Sequence, residues 1–324
     1  MSLVDANLDA SVVVCTRNRS RSLAQALDRL LQLEYPEDRW ELIVVDNGST
    51  DDTLAVAREV ASTQPERVVV LEEPEPGLSI SRNRGIARAH GQVVAFIDDD
   101  AIPEPDWLRG LLEILSTDGV SVAGGPVVPM FRGQPPAWLT ERYLPYLAAW
   151  DRGSQVHDLT YNEYPRGVNI AFDRRVFDDF GGFSPHLGRK GRSLLSCEEI
   201  EICLRVERAG GRIVYAPRAR VHHLTEAERI TPGWLARRFG AQGQSEAILV
   251  WQHAGWRGLR IGLRSSLRNA VTTLPFGRSS EKDPLYVRCQ WRTLLGFLRG
   301  SLRAPWQVPR YRPRTPVFDW LPFG

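Results

Sequence analysis

The chain has 324 residues, and its 43% hydrophobic and 25% charged content is typical of a soluble globular protein. This length is enough for one large domain with an extension, or for two domains. The four cysteines are scattered without a C-x-x-C pair, which argues against a disulfide framework or zinc site and favours a reducing cytosol. No signal-peptide pattern or long apolar run is present, so we expect a cytoplasmic protein.

The net charge of +2 hides an asymmetry along the chain. From residue 251 onward there are 13 Lys/Arg against three Asp/Glu, giving +10, so the first 250 residues carry −8. The basic segment also holds five of the ten tryptophans. This pattern predicts either a surface for an anionic partner, such as a membrane, or helices packed on the main domain. Nucleic acid is the less favoured partner, and it would require salt-sensitive binding.

Short apolar runs alternate with helical patterns in the first hundred residues. Strands are predicted over residues 10–15, 41–45, 68–71 and 92–97, with helices between them that include residues 79–89. This βαβα order predicts an α/β fold with a mostly parallel central sheet flanked by helices and a ligand at the strands' carboxyl ends. No G-x-G-x-x-G follows the first strand and no P-loop motif occurs, so dinucleotide and P-loop sites are disfavoured.

The fourth predicted strand stops at three consecutive carboxylates, Asp98, Asp99 and Asp100. Like charges so close together are costly unless a positive charge lies among them. A divalent cation such as Mg²⁺ is a natural occupant. The alternative is a loop whose aspartates cap the helix predicted near Trp107, and the triplet alone does not decide between the two.

A second group of polar residues lies downstream. Residues 164–172 are predicted as a strand lining a site, with Gly167 permitting close backbone approach. Glu198 and Glu199 begin a predicted helix, where the helix dipole alone explains carboxylates; the alternative is a general base. Glu201 and Arg205, four residues apart, are expected to pair along the surface of that helix. His222 and His223 follow a predicted strand, and one of them is a candidate metal ligand.

Six ordered motifs within residues 10–225 together resemble the family 2 glycosyltransferases, inverting enzymes with the GT-A fold. Residues 11–19 are similar to the family's first nucleotide-binding strand and loop, and residues 41–51 to its D-[DN]-G-S-x-D turn. Residues 77–85 resemble the helix over the diphosphate, and residues 98–100 stand at the D-x-D metal motif. Residues 198–205 resemble the E-D-x-E-x-x-x-R helix, and residues 217–223 the P-x-A-x-V-x-H segment.

The resemblance implies a role for each matching residue. Asp46 would bind the base of a nucleotide-sugar, with uracil favoured, and Asp98 would hold the ribose or reach the metal. Asp100 and His223 would ligate Mn²⁺ or Mg²⁺, and Arg82 would offset the charge of the diphosphate. The remaining donor-binding residues implied are Thr16, Asn18, Arg19, Asn47, Asp51 and Asp99.

The resemblance also implies single displacement with inversion at the sugar. Glu199 would deprotonate the acceptor hydroxyl, but the family usually has Asp at this place, so Glu198 stays open as the base. Gly167, Asn169 and Trp138 are expected on the acceptor side, and the basic loop over residues 188–195 as a lid, an acceptor loop or a plain solvated loop. The acceptor would be a glycan, a polysaccharide or a lipid-linked saccharide.

The sequence therefore predicts a catalytic domain over residues 1–225 and a basic, Trp-rich helical extension over residues 226–324. Within the domain, residues 10–100 would bind the nucleotide-sugar, and residues 101–225 would supply the metal and acceptor part. The extension is expected either to rest on the inner face of a membrane or to form a homodimer. Two other functions stay open, a sugar-nucleotide-forming nucleotidyltransferase and a non-catalytic sugar- or nucleotide-binding protein.

Overall fold

The computed structural model describes residues 8–273 and 283–311. Its strands are β1 (Ala10–Thr16), β2 (Trp40–Asp46), β3 (Val68–Glu72), β4 (Val93–Ile97), β5 (Ala101–Pro103), β6 (Val120–Gly124), β7 (Val127–Phe131), β8 (His157–Asp158), β9 (Asn169–Asp173), β10 (Arg212–Tyr215) and β11 (Val221–Thr225). Its α-helices are α1 (Ser20–Leu30), α2 (Thr53–Thr63), α3 (Leu78–Arg88), α4 (Trp107–Leu115), α5 (Arg175–Phe180), α6 (Glu198–Arg208), α7 (Pro232–Thr272) and α8 (Pro284–Gln307). Short 3-10 helices span Glu37–Arg39, Glu141–Leu147 and Ala227–Arg229.

The central sheet has eight strands in the order β3-β2-β1-β4-β9-β6-β10-β8. Strands β3, β2, β1 and β4 are mutually parallel, as are β6 and β10, whereas β9 runs antiparallel between β4 and β6. Every residue of β2 and β4 is buried, because helices cover both faces of the sheet and favour continuous apolar strands there. The predicted α/β class and mostly parallel sheet are confirmed, and the carboxyl ends of β1, β2 and β4 meet at one edge.

Two elements differ from the sequence predictions. The strand predicted over residues 164–172 begins only at Asn169, so Gly167 lies in the loop before it. His222 and His223 follow a strand as predicted, namely β10, but they lie within a further strand, β11, in a small second sheet of order β5-β11-β7. In that sheet His223 pairs with Ala101, and Leu224 N donates to Asp100 O at 2.8 Å. This register places His223 beside the aspartates that follow β4.

Helices α7 and α8 pack closely against each other because glycines line their contact. A Cβ added at Gly296 would lie 1.9 Å from Gly240 O, and one at Gly243 would lie 2.0 Å from Thr293 O, so neither position accepts a larger residue without separating the helices. Helix α7 is kinked at Gly255, whose φ of 55° and ψ of −139° are conformations that glycine adopts readily. Among the described residues, no helix combines the length and apolarity that crossing a bilayer requires.

Candidate active site

One cavity of about 740 Å³ opens where the carboxyl ends of β1 and β4 face the start of α6. Its walls come from the central sheet, the small sheet and α7. The predicted site residues that line it are Thr16, Arg19, Asn47, Arg82, Asp98, Asp99, Asp100, Gly167, Glu198, Glu199 and His223. The fold therefore brings the aspartate triplet, the glutamate pair and the histidine to one place, although about a hundred residues separate the triplet from the glutamates and 24 separate Glu199 from His223.

The aspartate triplet is held by cationic and hydroxyl groups. His223 Nε2 lies 3.2 Å from Asp100 Oδ1, Arg229 Nη2 lies 3.0 Å from Asp100 Oδ2, and Arg19 also pairs with Asp100. Thr16 Oγ1 donates to the neighbouring Asp99 Oδ2 at 2.7 Å. Positive charge thus surrounds the triplet, as the repulsion among its carboxylates requires.

These neighbours shift the pKa values of the buried aspartates in opposite directions. Burial alone would raise the pKa of Asp100, but His223, Arg229 and Arg19 outweigh it and hold that pKa well below its usual range. Burial raises the pKa of Asp99 to about 7, with a further contribution from Asp100 and only partial compensation by Arg19. Asp100 is therefore the carboxylate most firmly held in its charged form, which is the form that binds a metal.

Asp98, Asp100 and His223 offer a donor set that fits a divalent cation. One ligand atom from each lies within 4.8 Å of the others. The other ring nitrogen of His223, Nδ1, lies 3.0 Å from Leu147 O, a contact that would fix the tautomer with Nε2 free to ligate. Two carboxylates with one imidazole suit Mn²⁺, and Mg²⁺, a chemically harder cation, is the alternative.

Arg82 on α3 links the aspartates to the glutamate pair. Its Nη1 donates to Glu198 Oε1 at 2.9 Å, while its Nη2 lies 3.3 Å from Asp98 Oδ1 and donates to Gly167 O at 2.8 Å. A Cβ at Gly167 would lie 2.9 Å from Arg82 Nη1, so the predicted need for close backbone approach at Gly167 is confirmed. Arg82 is buried and connects the aspartate triplet to α6.

Glu198 and Glu199 occupy the first turn of α6 but have different environments. Burial raises the pKa of Glu198 to about 7, and Glu199 adds to the effect, against the opposing charge of Arg82. Within the described residues the Glu199 carboxylate forms no ion pair, and its buried Oε2 has no hydrogen-bond partner. The buried Oε2 of Glu198 has no partner either, but Glu198 Oε1 is committed to Arg82, whereas Glu199 faces the cavity with neither oxygen in an ion pair among the described residues.

The Glu201–Arg205 pair forms as predicted, at 2.6 Å, but it is not on the surface. Both side chains are buried, and His253 of α7 closes over them with Nε2 2.9 Å from Glu201 Oε1. Arg205 also donates to Phe180 O and, at 2.8 Å, to Gly182 O. The pair therefore anchors α6 to α7 and to the loop after α5.

The donor-side residues predicted after β1 and β2 divide into two groups. Asn47 lines the cavity and also holds the loop before α3, because its amide binds Glu73 O, Glu75 O and Gly77 N. Asn18 accepts from Thr50 N at 2.7 Å and Asp51 from Thr53 N at 3.0 Å, so both brace strand-end loops outside the cavity lining. The buried Asp46 accepts from Ser49 N through Oδ2, and its Oδ1 has no partner among the described residues.

Two of the residues expected on the acceptor side lie elsewhere, which corrects the prediction. Asn169 is fully buried, and its side chain accepts from Trp107 Nε1 and donates to Pro126 O and Ala219 O. Trp138 packs edge-on against Tyr143, at 6.1 Å between ring centroids, in a cluster beside α7. Neither lines the cavity, because β9 directs Asn169 into the core and Trp138 contributes to the packing of α7.

The sequence prediction missed several residues that line the cavity. They come from the 3-10 helix near residue 145, from the loop before β9, from the segment after β11 and from the two C-terminal helices: Arg142, Tyr146, Arg166, Arg229, Trp234, Arg238, Gln242, Glu246 and Tyr286. One signal was available, since Trp234, Arg238, Gln242 and Glu246 recur every four residues and must share one face of α7.

Comparison with known proteins identifies the class. The family model described as glycosyl transferase family 2 matches residues 11–181, slightly more than half of the chain. The chain is 32% identical over 247 residues to the glucosyl-dolichyl phosphate glucuronosyltransferase of Haloferax volcanii, covering 75% of this chain and 77% of that protein. It is 27% identical over 289 residues to the succinoglycan biosynthesis protein ExoM of Rhizobium meliloti, covering 87% and 89%. Fold, site and relatives together define an enzyme of the glycosyltransferase class.

The chain belongs to glycosyl transferase family 2. Among solved structures it is similar to the mannosyltransferase PcManGT from Pyrobaculum calidifontis in complex with GDP-Man and Mn²⁺, with a TM-score of 0.57 at 19% identity. That similarity covers 94% of this chain and 88% of the other, and it confirms the GT-A fold predicted from the sequence.

Proposed function

We propose that the protein transfers a sugar from a UDP-linked donor to a hydroxyl of a saccharide acceptor, by metal-assisted single displacement with inversion. The observation that carries this proposal is the shared cavity: a cation-binding set (Asp98, Asp100 and His223) and an unpaired carboxylate (Glu199) line the same space. Family membership favours this transfer over a nucleotidyltransferase or a non-catalytic binding protein.

The donor would lie along the edge formed by β1, β2 and β4. The unpaired Asp46 Oδ1 would accept the imide N–H of uracil, and Asn47 and Thr16 line the path from there to the triplet. Asp98, Asp100 and His223 would hold Mn²⁺ or Mg²⁺, which when bound supplies Lewis-acid stabilisation of the diphosphate leaving group. Arg82 and Arg19 add fixed positive charge on that side.

The acceptor would enter from the α6 and α7 side. Glu199 would take the proton of the attacking hydroxyl, a role that requires a charged carboxylate not already committed to another group. Glu198 would hold Arg82 in place and so position the donor side relative to Glu199. Attack from the face opposite the diphosphate would invert the configuration at the sugar carbon.

The stereochemistry of the product tests this function. We expect the purified chain with Mn²⁺ to release UDP from an α-linked UDP-sugar only when a saccharide acceptor is present, and to form a β-linkage. Proton NMR of the anomeric coupling constant checks the outcome, using UDP-linked glucose, galactose, glucuronic acid and N-acetylglucosamine in parallel, with GDP- and dTDP-sugars as controls. Retention of the α-configuration would contradict single displacement, and turnover of a GDP- or dTDP-sugar alone would contradict the UDP assignment.

One face of α8 carries an apolar stripe that suits a membrane surface. The exposed residues Trp291, Leu295, Leu298, Leu302 and Trp306 follow helical spacing, and Leu302 and Trp306 are 76% and 87% exposed. The same helix holds four arginines and no acidic residue between 284 and 307. Exposed apolar patches rimmed by one sign of charge mark interaction sites, and an anionic bilayer matches both features. We therefore propose that α8 rests on anionic lipid.

Vesicle co-sedimentation tests this contact. We expect the native chain to pellet with phosphatidylglycerol-containing vesicles and not with phosphatidylcholine vesicles, and Leu302→Glu to lose the binding because a carboxylate enters the apolar stripe. Val156→Glu is the matched control, since Val156 is exposed outside α8 and should have no effect. Equal pelleting of both variants would contradict the membrane contact. If the native chain did not bind vesicles but formed a dimer, and Leu302→Glu dissociated that dimer, the stripe would be the contact with a second copy of the chain.

A further inference from the structure

The end of the cavity formed by α7 contains cationic and aromatic side chains that the proposed donor site does not use. Trp234, Arg238, Gln242 and Glu246 recur every four residues along α7 and all line the cavity. Tyr146 and Tyr286 complete this wall from the 3-10 helix and from α8. The C-terminal helices thus form part of the site itself.

Arg238 is the central residue of this wall. It is nine-tenths buried, and its Nη2 donates to Ser196 Oγ at 3.1 Å. Its Nε and Nη1 have no hydrogen-bond partner among the described residues. Leaving two buried guanidinium donors unsatisfied is costly, so their presence in a ligand-sized cavity indicates a group that would accept from them.

Two further guanidinium groups adjoin Arg238. Arg166 and Arg189 line the cavity, and neither forms an ion pair with a carboxylate in the described part of the chain. Burial and the positive charge of Arg238 lower the pKa of Arg189 to about 10. Burial also lowers the pKa of Arg166, with Glu199 opposing the shift and Arg238 adding a smaller contribution to it. Glu246 is the one carboxylate on this face of α7, and it accepts from Gln242 Nε2 at 3.1 Å without pairing with Arg238. Arg238 therefore repels both Arg166 and Arg189, and none of the three forms an ion pair with a carboxylate in the described part of the chain.

The positions of Arg238 and Arg166 distinguish them from the donor diphosphate site, whereas Arg189 is also subject to the charges of Arg229, Glu198 and Asp98. Glu199 is the carboxylate whose charge acts most strongly on Arg166, and Arg238 contacts Ser196, three residues before Glu199. Arg19 and Arg229, by contrast, pair with Asp100 on the metal side. An anion held by Arg238 and Arg166 would thus lie beside the proposed base, where the acceptor must place its hydroxyl.

We propose that Arg238, Arg166 and Arg189 form an acceptor subsite for a phosphate or diphosphate group, so that the acceptor is a phosphate-bearing saccharide. The role of the subsite in acceptor binding rests on the proposed function, whereas the binding of phosphate by these arginines does not. Three guanidinium groups match a doubly or triply charged phosphate ester better than a single carboxylate, which one of them would neutralise. Tyr146 and Trp234 flank Arg238 and offer aromatic faces for a sugar ring. A lipid-linked diphosphate and a soluble sugar phosphate share this chemistry.

Titration calorimetry with octyl diphosphate tests the subsite without turnover. The native chain is titrated in Mn²⁺ with saturating UDP, which blocks the donor site, and again in a chelator without UDP. We expect binding in both conditions and a loss of about 10- to 100-fold in affinity in Arg238→Gln, as removal of a charge-assisted hydrogen bond predicts. Arg237→Gln is the matched control, because Arg237 is the exposed neighbour on the same helix. Thermal unfolding of each variant verifies folding, and Arg166→Gln provides a second test if Arg238→Gln does not fold.

Each outcome bears on the proposal. Equal affinity in native, Arg238→Gln and Arg237→Gln proteins would overturn it, as would binding of octyl diphosphate that saturating UDP abolishes, since the cluster would then serve the donor. Tighter binding of octyl glucuronide than of octyl diphosphate would also overturn the proposal, because the subsite would then recognise the carboxylate of an acidic sugar and not a phosphate. Glucose 1-phosphate in a parallel titration distinguishes a soluble sugar phosphate from a lipid-linked one. Failure of UDP itself to bind would contradict the proposed function. The titration in a chelator, which contains no UDP, would still test the subsite independently.

Discussion

Replacement of Glu199 by glutamine is expected to lower turnover by about 100- to 10,000-fold while UDP binding is retained, because loss of a general base removes an effect of that size. The substitution keeps the size of the side chain and removes only its charge. Since the Glu199 carboxylate has no ion pair within residues 8–273 and 283–311, its neutralisation should leave the fold intact. Steady-state kinetics with the UDP-sugar found active, together with UDP titration, measure the two effects separately.

Glu198→Gln distinguishes the two glutamates. Glu198 pairs with the buried Arg82, so this variant should weaken donor binding and lower the unfolding temperature, with a smaller effect on turnover at saturating donor. Glu59→Gln, on the exposed face of α2, should match the native enzyme in every measurement. If Glu198→Gln abolished turnover with unchanged donor binding while Glu199→Gln remained active, Glu198 would be the base and Glu199 would have no part in the chemistry.

The sequence placed Thr16, Asn47 and the aspartate triplet correctly at one edge of the cavity because that edge depends on strand order, whereas Asn18 and Asp51 lie outside the cavity lining. Apolar strands at β1, β2 and β4 each end in polar residues, and parallel strands bring those ends to one edge of the sheet. The proximity of His223 to Asp100 followed from the family resemblance, but the register that causes it, His223 opposite Ala101, cannot be read from local pattern. Pairing between β5 and β11 joins segments about 120 residues apart, and no short-range signal specifies it.

The side of the cavity expected to bind the acceptor was predicted poorly, because its lining depends on the direction in which side chains point. Asn169 lies in the segment predicted as a strand lining the site, yet it points into the core to hydrogen-bond with Trp107. Arg238 belongs to a segment without a recognisable motif, and only the packing of α7 against the catalytic fold turns it toward the cavity. The burial of the Glu201–Arg205 pair has the same origin, since His253 of α7 covers it. In each case tertiary packing decides what spacing alone leaves open.

Replacement of Asp100 by alanine is expected to abolish the metal dependence of nucleotide binding. Asp100 is the carboxylate held most firmly in its charged form, and it contributes one of three ligand atoms that lie within 4.8 Å of one another. Without it, Asp98 and His223 alone offer a two-ligand site, which holds a divalent cation weakly. Calorimetric titration of UDP, GDP and dTDP, with and without Mn²⁺, should show metal-dependent binding of one nucleotide to the native chain and none to the variant.

Stability must be measured beside binding, because Asp100 also compensates buried positive charge. Its removal leaves Arg19, Arg229 and His223 without their shared carboxylate, and breaking a buried ion pair costs about 3–5 kcal/mol. Thermal unfolding in a chelator should therefore show a lower transition temperature for Asp100→Ala. Asp98→Asn supplies a milder second variant, since Asp98 is only partly buried and should lose metal-dependent binding with little loss of stability.

Asp106→Asn controls for the loss of a carboxylate as such, because Asp106 pairs with Arg218 at the surface. It should bind nucleotide with the native metal dependence. If the native chain bound nucleotide equally with and without Mn²⁺, and Asp98→Asn did so too, the triplet would neutralise the surrounding arginines and would not bind a metal ion. The positive charge facing the diphosphate would then come from Arg19, Arg229 and Arg82, which already lie on that side of the cavity. The two arrangements make opposite predictions for a chelator, which should stop turnover only if the cation is required.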